Sequence, residues 1–289
     1  MREQYYRIAD LGIRVAGKAQ HFCDEPGILE NFLCTPIPAV HSVAFSVTQS
    51  LEPPSGKRIY TDPAHMVFAD GDAVIRYEGT LSQSWDKAYL RLLRNGNSTE
   101  AQIKESSVPQ GVTPKLIAQT MELEHLLAAH NGIVLHSSYI HYRGKGILFT
   151  APSGTGKSTQ AALWEEYKDA ELINGDRTAI RSFGEDIFAY GIPFAGSSNV
   201  RINKKLPLAA IVYLAQAPQT RITRLTGAKA FRSIWEGCTI NIWNEQDVEL
   251  CSQTVLEIAN RIPVYYLECT PDCTAVETLH QELERIDAI

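Results

Sequence analysis

Apolar residues along this chain fall into two regimes. Up to about residue 112 they alternate with polar ones in short runs broken by turn residues. After that, longer continuous runs take turns with helical spacing. In the first regime, Val40–Val47 alternates well enough for a strand. Asp70-Gly71 separates Met66–Ala69 from Ala73–Tyr77, and Asn95-Gly96 separates Tyr89–Leu93 from a run around Ala101–Ile103. An Asp-Gly or Asn-Gly pair between strand-like runs predicts a hairpin, because its turn needs positive φ. Pro36, Pro38, Pro53, Pro54 and Pro63 mark breaks between runs.

The second regime opens at Thr113, an N-cap with Pro114 at the first helical position. The periodicity predicts one helix through Leu116, Ile117, Met121, Leu126 and Leu127, stopped at Asn131-Gly132. Ile133–His136 and Gly146–Phe149 are expected to pair across an Arg143–Gly146 turn. A helix follows from Gln160, then a short strand at Glu171–Asn174. Leu208–Leu214 is continuously apolar, as a strand buried on both faces must be. A helix over 247–259, a strand over 263–267 and an amphipathic helix over 274–286 complete the pattern. The organisation expected is therefore a β-rich N-terminal domain over 1–112 and an α/β domain over 113–289.

Composition adds little to this. The 289 residues are 44% hydrophobic and 21% charged, and six cysteines are scattered among them. The net charge of −6 gives no sign of a nucleic-acid partner. No apolar window is long enough for a membrane span and no leader is evident, so a cytoplasmic protein with free thiols is expected. Cys269 and Cys273 lack a second pair at zinc-site spacing.

The chemistry concentrates in Ala151-Pro152-Ser153-Gly154-Thr155-Gly156-Lys157-Ser158-Thr159, between the apolar run 146–150 and the helix-like stretch from Gln160. Strand, glycine loop and helix in that order form a P-loop signature. Its glycines let successive amides of residues 153–159 point at phosphate oxygens. Lys157 reaches the β- and γ-phosphates, and Ser158 serves as a Mg²⁺ ligand. Ala151 stands where the motif usually has glycine. ATP and Mg²⁺ are the cofactors this implies. Asp176 in Asn174-Gly175-Asp176-Arg177 is the candidate second metal ligand.

A histidine ahead of the loop, His136, then the loop, then Gly175-Asp176-Arg177 and Val200-Arg201-Ile202-Asn203-Lys204 before a buried strand, together resemble the HPr kinase/phosphorylase family. More broadly they are similar to the group that includes ATP-dependent phosphoenolpyruvate carboxykinase. The resemblance spans about residues 132–215 and leaves 1–112 unaligned. It implies a P-loop core of that type and transfer of the γ-phosphoryl of Mg-ATP to a hydroxyl, that of a serine in a protein, peptide or small molecule. His136, Asp176 and Arg201 would be the catalytic residues. The N-terminal domain would supply acceptor recognition or homo-oligomer contacts. Two other readings stand beside it: an ATP-binding regulatory module without transfer, and a carboxykinase-like enzyme.

One departure from that family bears on mechanism. Gly175 stands where its Asp-Asp pair places the acid that acts as general base. Asp176, His136 or a carboxylate from elsewhere would then have to take the hydroxyl proton. A Gly175→Asp change would be expected to preserve or raise transfer in a kinase working without that group.

Overall fold

Residues 1–23, 27–79 and 84–289 are described in the computed structural model, a mixed α/β protein with two large sheets. The chain divides into two compact units, Met1–Leu123 and Glu124–Ile289.

The first unit holds β1 (Arg2–Ile8), β2 (Leu11–Gly17), β3 (Leu33–Cys34), β4 (His41–Thr48), β5 (Lys57–Thr61), β6 (His65–Asp70), β7 (Ala73–Glu78), β8 (Leu90–Asn95) and β9 (Ser98–Lys104). Among the described residues they form one sheet in the order β3-β1-β2-β4-β9-β8-β7-β6-β5. Both expected hairpins form: Asp70 pairs Ala73 and Asn95 pairs Ser98, with Gly71 and Gly96 at positive φ.

Helix α1 (Pro114–Thr120) starts as the sequence predicts, with the Thr113 hydroxyl accepting from Leu116 N. It does not continue to residue 128. Glu122 takes a left-handed φ of +49°, and a second helix, α2 (Leu123–Ala128), follows. The break turns the Glu122 carboxylate into the first unit, where it is buried. Thr99 Oγ1 donates to it at 2.9 Å, and Arg94 Nε lies 3.6 Å away. Helical periodicity on either side of Glu122 gave no sign of this inward carboxylate.

The second unit continues with β10 (Gly132–Tyr142), β11 (Lys145–Thr150), α3 (Lys157–Lys168), β12 (Glu171–Asn174), β13 (Arg177–Phe183), β14 (Asp186–Gly191), β15 (Lys205–Gln216), β16 (Arg221–Leu225), α4 (Gly227–Trp235), β17 (Cys238–Thr239), α5 (Glu245–Arg261), β18 (Val264–Cys269) and α6 (Cys273–Arg285). Strands β11, β10, β13, β14 and β15 close on one another, since β11 also pairs β15 in parallel. Strands β18 and β16 extend the sheet beyond β15.

The expected pairing of Ile133–His136 with Gly146–Phe149 is corrected. A two-residue turn at Arg143-Gly144 fixes the register outward from Tyr142 and Lys145, so Ser137–Tyr142 pairs with β11. Residues Gly132–His136 pair with β13 instead. Strand β13 escapes the sequence reading because polar residues interrupt it. Arg181 and Ser182 are nonetheless buried, the first donating to His130 O and the second to Glu257.

Strand β15 shows why its apolar run is continuous. Ala210, Val212 and Leu214 pack with Phe149, Trp164 and Leu279 under α3 and α6. Leu208 and Ile211 pack with Leu148, Ile234, Val255 and Ile258 under α4 and α5. With both faces covered by helices, the central run Leu208–Val212 is buried at every position and leaves no room there for a polar residue. Trp164 is fully buried in this core and packs edge-on against Tyr142, as a structural tryptophan does. No helix among the described residues is long and apolar enough to cross a membrane.

Candidate functional site

The glycine loop leaves β11 at Thr150 and enters α3 at Lys157. Gly154 has φ +79° and Gly156 φ +120°, and a Cβ at either would meet no atom within 4 Å. Backbone conformation, not space, therefore requires glycine at both. Among the amides from Ser153 to Thr159 only Thr155 N–H is given to a backbone carbonyl outside regular structure, that of Pro152 at 3.3 Å. Residues 157–159 open a 12-residue helix, where the first amides lack intrahelical acceptors and the dipole adds positive potential. Gln216 Nε2, at the end of β15, donates to Thr155 O at 3.3 Å and braces the loop from the side.

Lys157 folds back over this loop. Its Nζ donates to Ala151 O at 2.9 Å and Pro152 O at 3.3 Å, and only 8% of the residue is exposed. No carboxylate lies within ion-pair distance of it among the described residues. Burial pulls its pKa down, and the nearby Asp176 opposes that shift. Ser158 and Thr159 are exposed on the first turn of α3.

Asp176 sits in the tight connection between β12 and β13, and Asn174 builds that connection. Its side chain is fully buried; Oδ1 accepts from Asp176 N at 3.0 Å and from Arg177 N at 3.1 Å, and Nδ2 donates to Ile192 O at 2.8 Å. This is an Asx turn, the conformation an Asn-Gly-Asp sequence favours. Ser137 N donates to Asp176 O at 2.9 Å, tying the turn to β10. The Asp176 carboxylate lies 3.3 Å from His136 Nε2 and 3.5 Å from Arg177 Nε.

His136 is opposite Arg177 in the β10–β13 register. Its backbone is held by Gly237 O, which accepts from His136 N at 2.7 Å, and by Thr150 Oγ1, which donates to His136 O at 3.0 Å. Burial, then the positive charge of Lys157, lowers the pKa of its ring below the usual value, with Asp176 opposing.

His136 and Asp176 border a cleft of ≈ 500 Å³, lined among others by Thr150, Pro152, Tyr213 and Glu236; Lys157 and Ser158 are not among its lining residues. Tyr213 Oη donates to Glu236 at 3.2 Å, giving the cleft an acidic far side that the sequence did not suggest. Arg201 does not line it. Its backbone bridges Asn174, and its guanidinium donates to Asn199 Oδ1 at 3.1 Å.

Position 175 is not an open space. A Cβ there would lie 2.3 Å from Ser198 Oγ and 2.5 Å from Ser198 Cβ. Rotating the serine cannot relieve the second contact. A Gly175→Asp side chain must therefore displace Ser198 before it could preserve or raise transfer.

Among the described residues, no group of three or more His, Cys, Asp or Glu side chains could hold a metal unaided. Mg²⁺ is commonly held by one or two protein groups together with substrate phosphates, so a cluster of three is not required for it.

A family model described as "SynChlorMet cassette protein ScmC" matches residues 112–284, and the chain belongs to that family. No curated protein matches it. Among solved structures, it is similar to the Hpr(Ser) kinase/phosphatase from Coxiella burnetii at 11% identity and a TM-score of 0.33. That match covers 54% of this chain and 94% of the other. So low a score carries no argument about core or activity.

Proposed function

We propose that this ScmC-family protein is a Mg-ATP-dependent phosphotransferase, moving the γ-phosphoryl group to a hydroxyl, that of a serine in a protein, peptide or small molecule. The observation that carries this reading is Lys157: a buried cation on a glycine loop at a helix start, bonded only to loop carbonyls, with Asp176 and His136 near enough for their charges to act on one another. A buried cation without an acid partner is costly unless an anion completes it. The amides of residues 153–159 and Lys157 would hold the β- and γ-phosphates of ATP. Ser158 and Asp176 would hold Mg²⁺, which when bound neutralises charge between those phosphates.

Burial and the charge of Lys157 favour the neutral form of His136, and its ring nitrogen would accept the proton of the acceptor hydroxyl. Asp176, 3.3 Å away, would stabilise the imidazolium that results. This assignment removes the need for a carboxylate at position 175.

Calorimetric titration of Mg-ATP into the wild type and Lys157→Ala tests the reading, together with phosphate transfer to serine-bearing acceptors. Binding that needs Lys157, and transfer that needs His136, would support it. Equal ATP affinity in the two proteins would overturn it. ATP binding with no transfer to any hydroxyl would favour a regulatory module on the same loop.

A further inference from the structure

The loop after β14 carries two features that meet at Asp176. Gly196, at φ +55°, lies against the aspartate: a Cβ there would be 2.8 Å from Asp176 Cβ, 2.9 Å from its Cγ and 3.1 Å from Oδ1. Two residues on, Ser198 fills the space beside Gly175. The serine also closes its own loop, since Oγ donates to Ala195 O at 2.8 Å and accepts from Val200 N at 3.2 Å. Beneath it, Gly175 O accepts from Ser138 Oγ at 3.3 Å, so the glycine is anchored to β10 and cannot recede freely.

Two glycines and a serine therefore interlock. Gly175 leaves a socket, Ser198 fills it, and the seated loop brings Gly196 onto Asp176. We propose that Ser198 is a positioning residue for Asp176: by occupying the socket at Gly175 it holds Gly196 against the aspartate and fixes the carboxylate towards His136 and Lys157. The inference rests on the proposed function for the meaning of that placement, but the placement can be read without nucleotide.

The test is a double-substitution cycle. Gly175→Ala drives a methyl into Ser198, Ser198→Gly empties the socket, and the pair together restores the fit. The first readout is hydrogen exchange of the Asp176 and Arg177 amides, both bonded to Asn174 Oδ1. Gly175→Ala should speed their exchange by about tenfold relative to amides of α5, and adding Ser198→Gly should recover most of the loss, the non-additivity expected of residues in contact.

The second readout is the gain in ATP affinity on adding Mg²⁺. It should shrink about tenfold in Gly175→Ala, because a displaced carboxylate no longer sits in ligand geometry. It should return in the double variant. Exchange at 176 and 177 unchanged in Gly175→Ala, or no better in the double variant, would overturn the interlock. If the wild type binds no ATP while the exchange coupling holds, the interlock stands and the nucleotide reading falls. If the exchange coupling holds but Mg²⁺-dependent affinity is the same in all four proteins, Ser198 shapes the turn without positioning Asp176, and the proposal is overturned.

Discussion

Both units bury positive charge, and they treat it in opposite ways. In the first, Arg76 and Arg94 are about one-tenth exposed and lie among acids. Arg76 is 3.1 Å from Glu78, and Arg94 is 3.6 Å from Glu122. Thr99 donates to Glu122 and meets His41 at 3.0 Å, which extends the network. In the second, Lys157 is buried to a similar degree and has two backbone carbonyls for company. The first arrangement finds its counter-charges within the chain, so its charges serve the fold. The second has no carboxylate within ion-pair distance, and in the function proposed above an anion from outside would complete it. Burial alone does not distinguish the two; the partners do.

The largest effect should come from Lys157→Ala. Mg-ATP affinity or turnover should fall by about 10²–10³-fold, the scale seen when one preorganised donor is removed. The melting temperature should hold or rise, because an incompletely paired buried cation is lost. A large fall in melting temperature would break the comparison, since Lys157 would then be structural like the arginines.

Next is Glu122→Ala. It leaves buried arginine charge short of an acid and should cost about 3–5 kcal/mol in chemical denaturation. A loss below about 1 kcal/mol, the scale of a surface pair, would show that the network is dispensable to the fold.

Asp176→Asn should be smaller, about 10²-fold in Mg²⁺-dependent turnover with little change in stability, because charge is removed while the Asx turn and its size are kept. Metal dependence identical to wild type would remove Asp176 from the ligand set.

The smallest effect concerns His280, a buried group of the second unit that meets a hydroxyl, Tyr142 Oη, at 3.1 Å. Burial, followed by the charge of Lys168, holds its pKa below the ordinary 6.5, with Glu284 opposing. The unfolded chain therefore binds a proton at higher pH than the folded one. Stability from this residue is complete above 6.5 and declines as pH falls from there towards the lowered folded value. Melting curves between pH 7 and 5, flatter in His280→Gln than in wild type, would confirm the sign; parallel curves would refute it.

Some of the molecule follows from short stretches of sequence. Positive φ at Gly71 and Gly96 fixes two hairpins, and Thr113-Pro114 fixes a helix start. The glycine loop opens α3, and a continuous apolar run makes β15 a strand covered on both faces. Each of these depends on backbone geometry or burial within a few residues. The segment 174–177 also carried its turn in its letters, although the role of Asn174 was visible only once its amide was seen bonded on three sides.

What the tertiary structure decided lies between distant segments. It ended a helix at Glu122 because arginines from β7 and β8 wait for that carboxylate. It split β10 between two partners, left Arg201 outside the cleft lining, and brought Glu236 into it. It filled the place beside Gly175 with Ser198. Sequence spacing shows that position 175 lacks a side chain; only packing shows that the volume is already taken, because excluded volume acts between atoms close in space however far apart they are along the chain.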